Sequence, residues 1–353
     1  MMPYKTTVWT VDNFEQISEK NTQLIQASLW IKKDEVVAFP TETVYGLGGN
    51  ALSDQAISRI YEAKGRPSDN PLIVHIAEEG QLKELAAEIP EKARILMENF
   101  WPGPLTIIFP KGIKVSSKVT GGLDTVAVRM PDHPVALAFI KACGVPLAAP
   151  SANLSGKPSP TSAGHVFDDL SGRIPGIVDG GQTGIGVEST VVDCSVDGAV
   201  TILRPGGVTK EQLEEALGSE VGLDPAFTEK EAAPKSPGMK YTHYAPDAPF
   251  VLVDGSREFI QSLVDKARAE GRRAGVMTTA ENEKFYNADA VIPAGERSRP
   301  ETVAAALYDT LRTFNEAKVD VIYGEVFPKT GVGYAIMNRL EKSAGGNIVA
   351  ENK

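Results

Sequence analysis

Short apolar runs alternate with amphipathic stretches along most of this chain, and that alternation, interrupted once, limits the folds open to it. The interruption is residues 218–249, which carry Pro225, Pro234, Pro237, Pro246 and Pro249 and no hydrophobic period. Such a stretch marks an interdomain linker. A chain of 353 residues also exceeds one ordinary core. The expected organisation is a first domain over 1–217, a linker over 218–249 and a second domain over 250–353.

In the first domain the pattern predicts strands at 35–40, 71–76, 105–109, 125–129, 146–149, 189–194 and 200–203. It predicts helices at 53–64, 81–100, 133–143, 163–170 and 209–217, with Ser53 or Asp54 capping the first. Several strands follow one another with no helix between them, so the sheet should be mixed. Beyond the linker the alternation is simpler, with strands at 250–253, 273–277, 290–292 and 319–323 and helices at 257–270, 300–315 and 331–342. That is the pattern of a small, parallel, Rossmann-like α/β domain.

The formal net charge of −10 argues against broad electrostatic binding of nucleic acid while allowing a local basic pocket for a small anion. Cys143 and Cys194 have neither the number nor the spacing of a disulfide framework or a zinc site. Residues 1–20 show no basic patch leading into an apolar run, and no apolar stretch approaches the roughly 18 residues that span a bilayer. A cytoplasmic protein without membrane association is expected.

Two segments combine cations and hydroxyl or amide donors with Gly and Pro: Lys64-Gly65-Arg66-Pro67-Ser68, and Pro150-Ser151-Ala152-Asn153-Leu154-Ser155-Gly156-Lys157. Neither is a Walker A loop. Lys64 at a helix end also has a purely structural reading, as a cation complementing the helix dipole. That reading accounts less well for Arg66, Ser68 and Asn70 on an extended stretch leading to His75. Residues 39–49, Phe-Pro-Thr-Glu-Thr-Val-Tyr-Gly-Leu-Gly-Gly, read as a strand end running into a glycine-rich turn, where open α/β sheets bind ligands. Arg129 at a strand end suits either a surface ion pair or a substrate carboxylate. Arg204 ends a later strand, and the glycines of residues 180–190 do not fit a dinucleotide fingerprint. Together these cations at strand ends in an acidic chain point to a pocket for an anion, with ATP the leading candidate.

The segments Pro40-Thr-Glu-Thr-Val-Tyr-Gly-Leu-Gly48, Lys64-x-Arg66, Asn70-Pro-Leu-Ile-Val-His75 and Ser151-x-Asn153 resemble the YrdC/Sua5 family of threonylcarbamoyl-AMP synthases. Ser236-Pro-Gly-Met-Lys-Tyr-x-His-Tyr-Ala-Pro246 followed by a Rossmann-like domain resembles the longer Sua5 form. The resemblance implies a twisted mixed sheet with a basic concave pocket. It also implies a reaction: L-threonine, bicarbonate and ATP give threonylcarbamoyl-AMP, pyrophosphate and water. Mg2+ would travel on the ATP phosphates, with no metal held by the protein itself. The product would serve N6-threonylcarbamoyladenosine formation in tRNA through separate transfer proteins, with no stable tRNA binding by this chain.

By the same resemblance, Lys64, Arg66, Ser151 and Asn153 are the catalytic set. Thr43, His75, Arg129, Ala149 and Ser189 would take threonine. Arg66, Asn70, Thr125, Ser151, Ser159, Arg204 and Tyr244 would take ATP. The linker, through Lys240, Tyr241 and Tyr244, would cover the nucleotide. Two alternatives stay open at this stage: a carbamoyl-transfer module of the hydrogenase-maturation type, which this chain's lack of Cys-x-x-Cys pairs disfavours, and a non-catalytic RNA-binding module.

Overall fold

The computed structural model describes residues 4–12, 17–196, 198–225 and 244–351. The chain divides into two units, the first made of Met1–Ser155, Ser159–Gly184 and Glu188–Lys240, the second of Gly156–Pro158, Ile185–Val187 and Tyr241–Lys353. Among the described residues no helix is long and apolar enough to cross a membrane.

The first unit is built on a mixed sheet whose strands, in chain order, are β1 (Thr7–Thr10), β2 (Val37–Phe39), β3 (Gly46–Asn50), β4 (Ile73–His75), β5 (Leu105–Pro110), β6 (Thr125–Arg129), β7 (Leu147–Ala148), β8 (Gly176–Asp179), β9 (Thr190–Asp193), β10 (Thr201–Arg204) and β11 (Gly222–Leu223). Their spatial order is β1-β8-β2-β3-β7-β4-β6-β5-β9-β10-β11. β4 pairs with β6 in parallel, while β7 with β4 and β5 with β6 are antiparallel, so the expected mixed sheet is present.

Side chains alternate between the faces of a strand, and the register sorts them into two sets. Val74, Val126, Val128, Ile107 and Phe109 enter the main core with Ile57 and Ile60 of the helix Asp54–Lys64. On the opposite face Ile73, Ala127 and Ile108 stand side by side through their pairing, and with Val191 and Leu203 they make a small separate apolar cluster. His75 and Arg129 follow Ile73 and Ala127 by two residues and are paired with each other, so they share that second face.

Two predicted elements differ from the structure. Residues 46–50, read as a glycine-rich turn, form β3, antiparallel to β2. The glycines serve close packing: a Cβ at Gly48 would lie 2.8 Å from Cε1 of Phe39. The helix expected over 81–100 is broken into Leu82–Leu85 and Glu91–Phe100, with Pro90 as the N-cap of the second. Proline cannot continue a helix and pushes the residue before it to extended backbone. The freed chain pairs instead with the end of β5, Ala87 N donating to Pro110 O and Gly112 N to Leu85 O. Beyond these, β1, β8, β11, the helix Thr22–Ile31 and, in the second unit, the strand Ile348–Ala350 had no counterpart in the sequence reading.

The second unit holds a parallel sheet of β12 (Phe250–Asp254), β13 (Ala274–Thr278), β14 (Ala290–Pro293), β15 (Val321–Glu325) and β16 (Ile348–Ala350), ordered β14-β13-β15-β12-β16. Its helices are Arg257–Ala269, Pro300–Ala317 and Gly333–Ser343. Val253, Val276 and Val321 pack with Ile260, Val264 and Ala267 of the first helix, the Rossmann-like arrangement expected.

Gly48→Ala tests the packing of β3 on Phe39. Overpacking of this kind costs about 1–3 kcal/mol, so the urea unfolding midpoint should fall accordingly; an unchanged midpoint would show that Phe39 can move aside.

Candidate functional site

Lys64 ends the helix Asp54–Lys64, which Ser53 opens by accepting from Ala56 N and Gly65 closes in the left-handed conformation, φ +63°. That sharp stop leaves Lys64 only 2% exposed. Its Nζ donates to Ser151 O (2.5 Å), to Asn153 O (2.6 Å) and, more weakly, to Asn153 Oδ1 (3.4 Å). The loop that receives it is fixed along β3, with Leu47 N donating to Pro150 O (2.8 Å), Ala152 N to Tyr45 O (2.8 Å) and Tyr45 N to Pro160 O (2.9 Å). Ser151 Oγ donates to Asn153 Oδ1 (2.6 Å), and Ser155 N returns to Lys64 O (2.9 Å). Burial, and then the neighbouring Arg66, hold the Lys64 ammonium well below its usual pKa, with Asp169 opposing them. The two donor-rich segments singled out in the sequence are therefore joined through one ammonium group.

Arg129 at the end of β6 is 3% exposed and fully oriented. Its Nε donates to Gly103 O (3.2 Å), its Nη1 to Thr43 Oγ1 (2.9 Å), and its Nη2 pairs with Glu42 at 2.7 Å. Thr43 in turn shares a hydrogen bond with Thr41, 2.8 Å between hydroxyl oxygens. Beside Arg129 lies His75, its ring edge-on to Phe39. Burial pushes its pKa down to about 3, helped by the charges of Arg129 and Arg204, so the imidazole is neutral at ordinary pH. Ala149 follows β7, and its N–H donates to Ile73 O (2.8 Å) beside them.

A third cluster lies where β9 and β10 meet β5. Arg204 donates from Nε to Ser189 O and from Nη2 to Ser189 Oγ, both at 3.1 Å, and Ser189 Oγ lies 2.7 Å from Thr106 Oγ1. Ser159 is fully buried and donates to Glu188 Oε1 (2.6 Å). Asn70 is buried, with its carbonyl accepting from Tyr61 OH (3.0 Å), and Arg66 donates from Nη2 to Pro71 O (3.3 Å). Thr125 begins β6, paired with Pro110.

Of the predicted residues, Lys64, Ser151 and Asn153 thus meet in one cluster, Thr43, His75 and Arg129 with Ala149 in a second, and Ser189 and Arg204 in a third. Tyr244 belongs to the second unit, where its buried ring packs on Tyr308, centroids 5.1 Å apart, and lies under the Arg339 guanidinium at 5.8 Å. Lys240 and Tyr241 lie outside the described residues. The sequence reading missed Glu42, Thr41, Thr106 and Glu188. Glu42, Thr106 and Glu188 have remote partners in Arg129, Ser189 and Ser159, so local pattern carried no signal for them. Thr41 bonds its near neighbours Thr43 and Val44 inside the segment 39–49. Among the described residues no group of three or more His, Cys, Asp or Glu side chains is arranged to hold a metal ion.

A family model described as "Telomere recombination", covering Sua5, YciO and YrdC, matches residues 30–206, and one described as "Threonylcarbamoyl-AMP synthase, C-terminal domain" matches residues 208–345. The chain belongs to the Sua5/YrdC family. It is 58% identical over 346 residues to the threonylcarbamoyl-AMP synthase of Bacillus subtilis, covering 98% of this chain and 99% of that one. It is 48% identical to the Pyrococcus abyssi enzyme of the same name, covering 95% of this chain and 97% of the relative. The solved structure of P. abyssi Sua5 complexed with L-threonine superposes with a TM-score of 0.90 at 47% identity, over 98% of this chain and 100% of that one. These whole-length matches within the Sua5 form leave the hydrogenase-maturation and RNA-binding alternatives without support.

The buried neutral His75 makes a pH prediction. The unfolded chain binds a proton on this side chain below about pH 6.5, whereas the folded protein does so only near pH 3. Stability therefore falls as pH drops through that interval, by at most roughly 1.4 kcal/mol per unit from this group. The stability gap between the parent and His75→Gln, measured by urea unfolding, should change in the parent's disfavour over the same interval. A gap independent of pH would contradict a neutral buried imidazole.

Proposed function

We propose that this chain is an L-threonylcarbamoyladenylate synthase, joining L-threonine, bicarbonate and ATP into threonylcarbamoyl-AMP with release of pyrophosphate and water. The observation that carries the reading is the whole-length likeness to P. abyssi Sua5, whose solved structure is a complex with L-threonine. The product would donate its threonylcarbamoyl group to tRNA adenosine through separate transfer proteins in the cytoplasm.

The chemistry suits the residues. Threonine's amine attacks bicarbonate and the carbamate oxygen then attacks the α-phosphate, so no enzyme-bound covalent intermediate is needed. Positioning and neutralisation of charge supply the rate. Arg129 is suited to take the threonine carboxylate because Gly103 O, Thr43 and Glu42 already fix its guanidinium plane. His75, being neutral, adds no further positive charge beside the amine. Ala149 and Ser189 complete the threonine side of our assignment. By the family resemblance Arg66, Asn70, Thr125, Ser151, Ser159, Arg204 and Tyr244 are assigned to ATP.

Lys64 has its hydrogens committed to loop acceptors. We therefore assign it two effects, a positive field under the nucleotide and a fixed shape for the loop that carries Ser151 and Asn153. Magnesium would bind through the ATP phosphates, sharing with the cations of this site the task of offsetting phosphate charge.

Purified protein should release pyrophosphate from ATP only when threonine and bicarbonate are both present; release independent of either would overturn the assignment. Arg129→Lys keeps the charge but loses the fork, so kcat/KM for threonine should drop on the order of a hundredfold, with ATP affinity little changed. Arg66→Ala should instead weaken ATP. A reversed pattern would mean that the two substrate sides are misassigned.

A further inference from the structure

The second unit has a cavity of about 290 Å³ at the carboxyl ends of its strands, between β12 and β15. From β12 the chain crosses towards β13 on one side, and from β15 it crosses to β16 on the other. Neighbouring strands whose connections leave in opposite directions form a topological switch point, where open α/β sheets take ligands. The feature lies wholly within the second unit and uses none of the residues assigned to threonine or ATP.

One wall is a closed polar network. Glu325, 6% exposed at the end of β15, accepts at Oε1 from Thr278 Oγ1 (2.5 Å), Tyr286 OH (3.0 Å) and Asn282 Nδ2 (3.1 Å), and its Oε2 pairs with Arg297. Three donors crowd Oε1 and the Arg297 guanidinium pairs with Oε2, so the carboxylate orients Arg297 and its charge is offset within the chain. Arg297 is held further by donating to Val326 O (3.2 Å), and its guanidinium lies 4.8 Å from the centroid of Phe327.

On the other wall Arg257, the first residue of the helix Arg257–Ala269, stacks 4.4 Å from the centroid of Phe285. Its Nε donates to Glu258, an exposed carboxylate. Two other carboxylates nearby are engaged by the rim itself. Glu351 accepts from Ser256 N (2.6 Å) and Oγ (3.0 Å), and Glu281 accepts from Arg297 N (3.1 Å) and Ser298 N (3.2 Å). The rim turns thus already receive acid groups from this chain, and the two stacked guanidinium forks remain on the cavity wall. Val253, Ile260 and Val326 supply apolar lining.

We propose that this cavity binds a small organic acid, its anionic head on Arg257 and Arg297 and its apolar body against Val253, Ile260 and Val326. Its volume is at the lower end of ligand pockets, which run from about 300 to 1,000 Å³, so the ligand is no larger than a mononucleotide. The β12 turn, Asp254-Gly255-Ser256-Arg257, lacks the spacing of a dinucleotide fingerprint. The shared chemistry is a planar or tetrahedral acid group with a short aliphatic body, either a carboxylate or a phosphate ester.

Hydrogen exchange of the full chain, followed by peptide with millimolar butyrate or millimolar butyl phosphate as the probe, tests this. Protection should appear in peptides spanning 253–260 and 282–297, and whichever probe protects more strongly identifies the head group. Arg257→Ala, at a half-exposed position, should abolish the protection. Arg297→Lys, which keeps the pair with Glu325 but loses the fork, should weaken apparent affinity about tenfold or more. Absence of protection with both probes, or protection that survives Arg257→Ala, would overturn the proposal.

Discussion

A buried ammonium must find acceptors for its hydrogens, because leaving them unmade costs more than a typical hydrogen bond contributes. In the first unit Lys64 finds them on a single loop, at Ser151 O, Asn153 O and Asn153 Oδ1. The bond geometry explains why two segments 87 and 89 residues apart in the chain behave as one structural piece. The helix end supplies the charge, the loop supplies the acceptors, and β3 fixes the loop through Leu47 and Tyr45. If Lys64 were removed, Ser151 and Asn153 would lose the group that holds their backbone.

The remainder of the site depends on the period of the sheet. His75, Arg129, Ile73, Ala127 and Ile108 occupy one face because each is an even number of residues from its neighbour in register, and Val191 and Leu203 join them from β9 and the irregular β9–β10 pairing. Polar groups at the strand ends therefore adjoin an apolar floor, while the other face is given over to the main core. Buried cations on such a face are tolerable because they are paired or hydrogen-bonded. Arg129 has Glu42, Thr43 and Gly103 O, and Arg204 has Ser189.

Much of this was legible in the sequence. The helix 163–170 appears with the predicted limits, and the strands at 125–129 and 250–254 closely match, because each has a strong period and a clear terminus. The helix Thr22–Ile31 is equally legible, since Asn21 is a good cap and Leu24, Ala27, Ser28 and Ile31 keep helical spacing, although no helix is predicted there above. β3 was not legible, because glycines in a strand look like a turn until Phe39 is seen packing against them. The candidate residues were found by motif, but their mutual geometry was not. Nothing local in residues 64–66 or 150–153 tells that the ammonium serves the loop's carbonyls, and nothing near Glu42 tells that Arg129 is its partner.

Lys64 thus builds the loop as well as lending charge. Hydrogen exchange in a Lys64→Met variant tests this most directly, because Ala152, Leu154 and Ser155 amides all have partners that depend on the loop's position. These amides should exchange roughly tenfold faster or more, a local loss of about 1.4 kcal/mol, while β4, β5 and β6 keep their protection and pyrophosphate release falls. Lost activity with unchanged exchange in residues 152–155 would mean that Lys64 does not hold the loop and acts by charge alone.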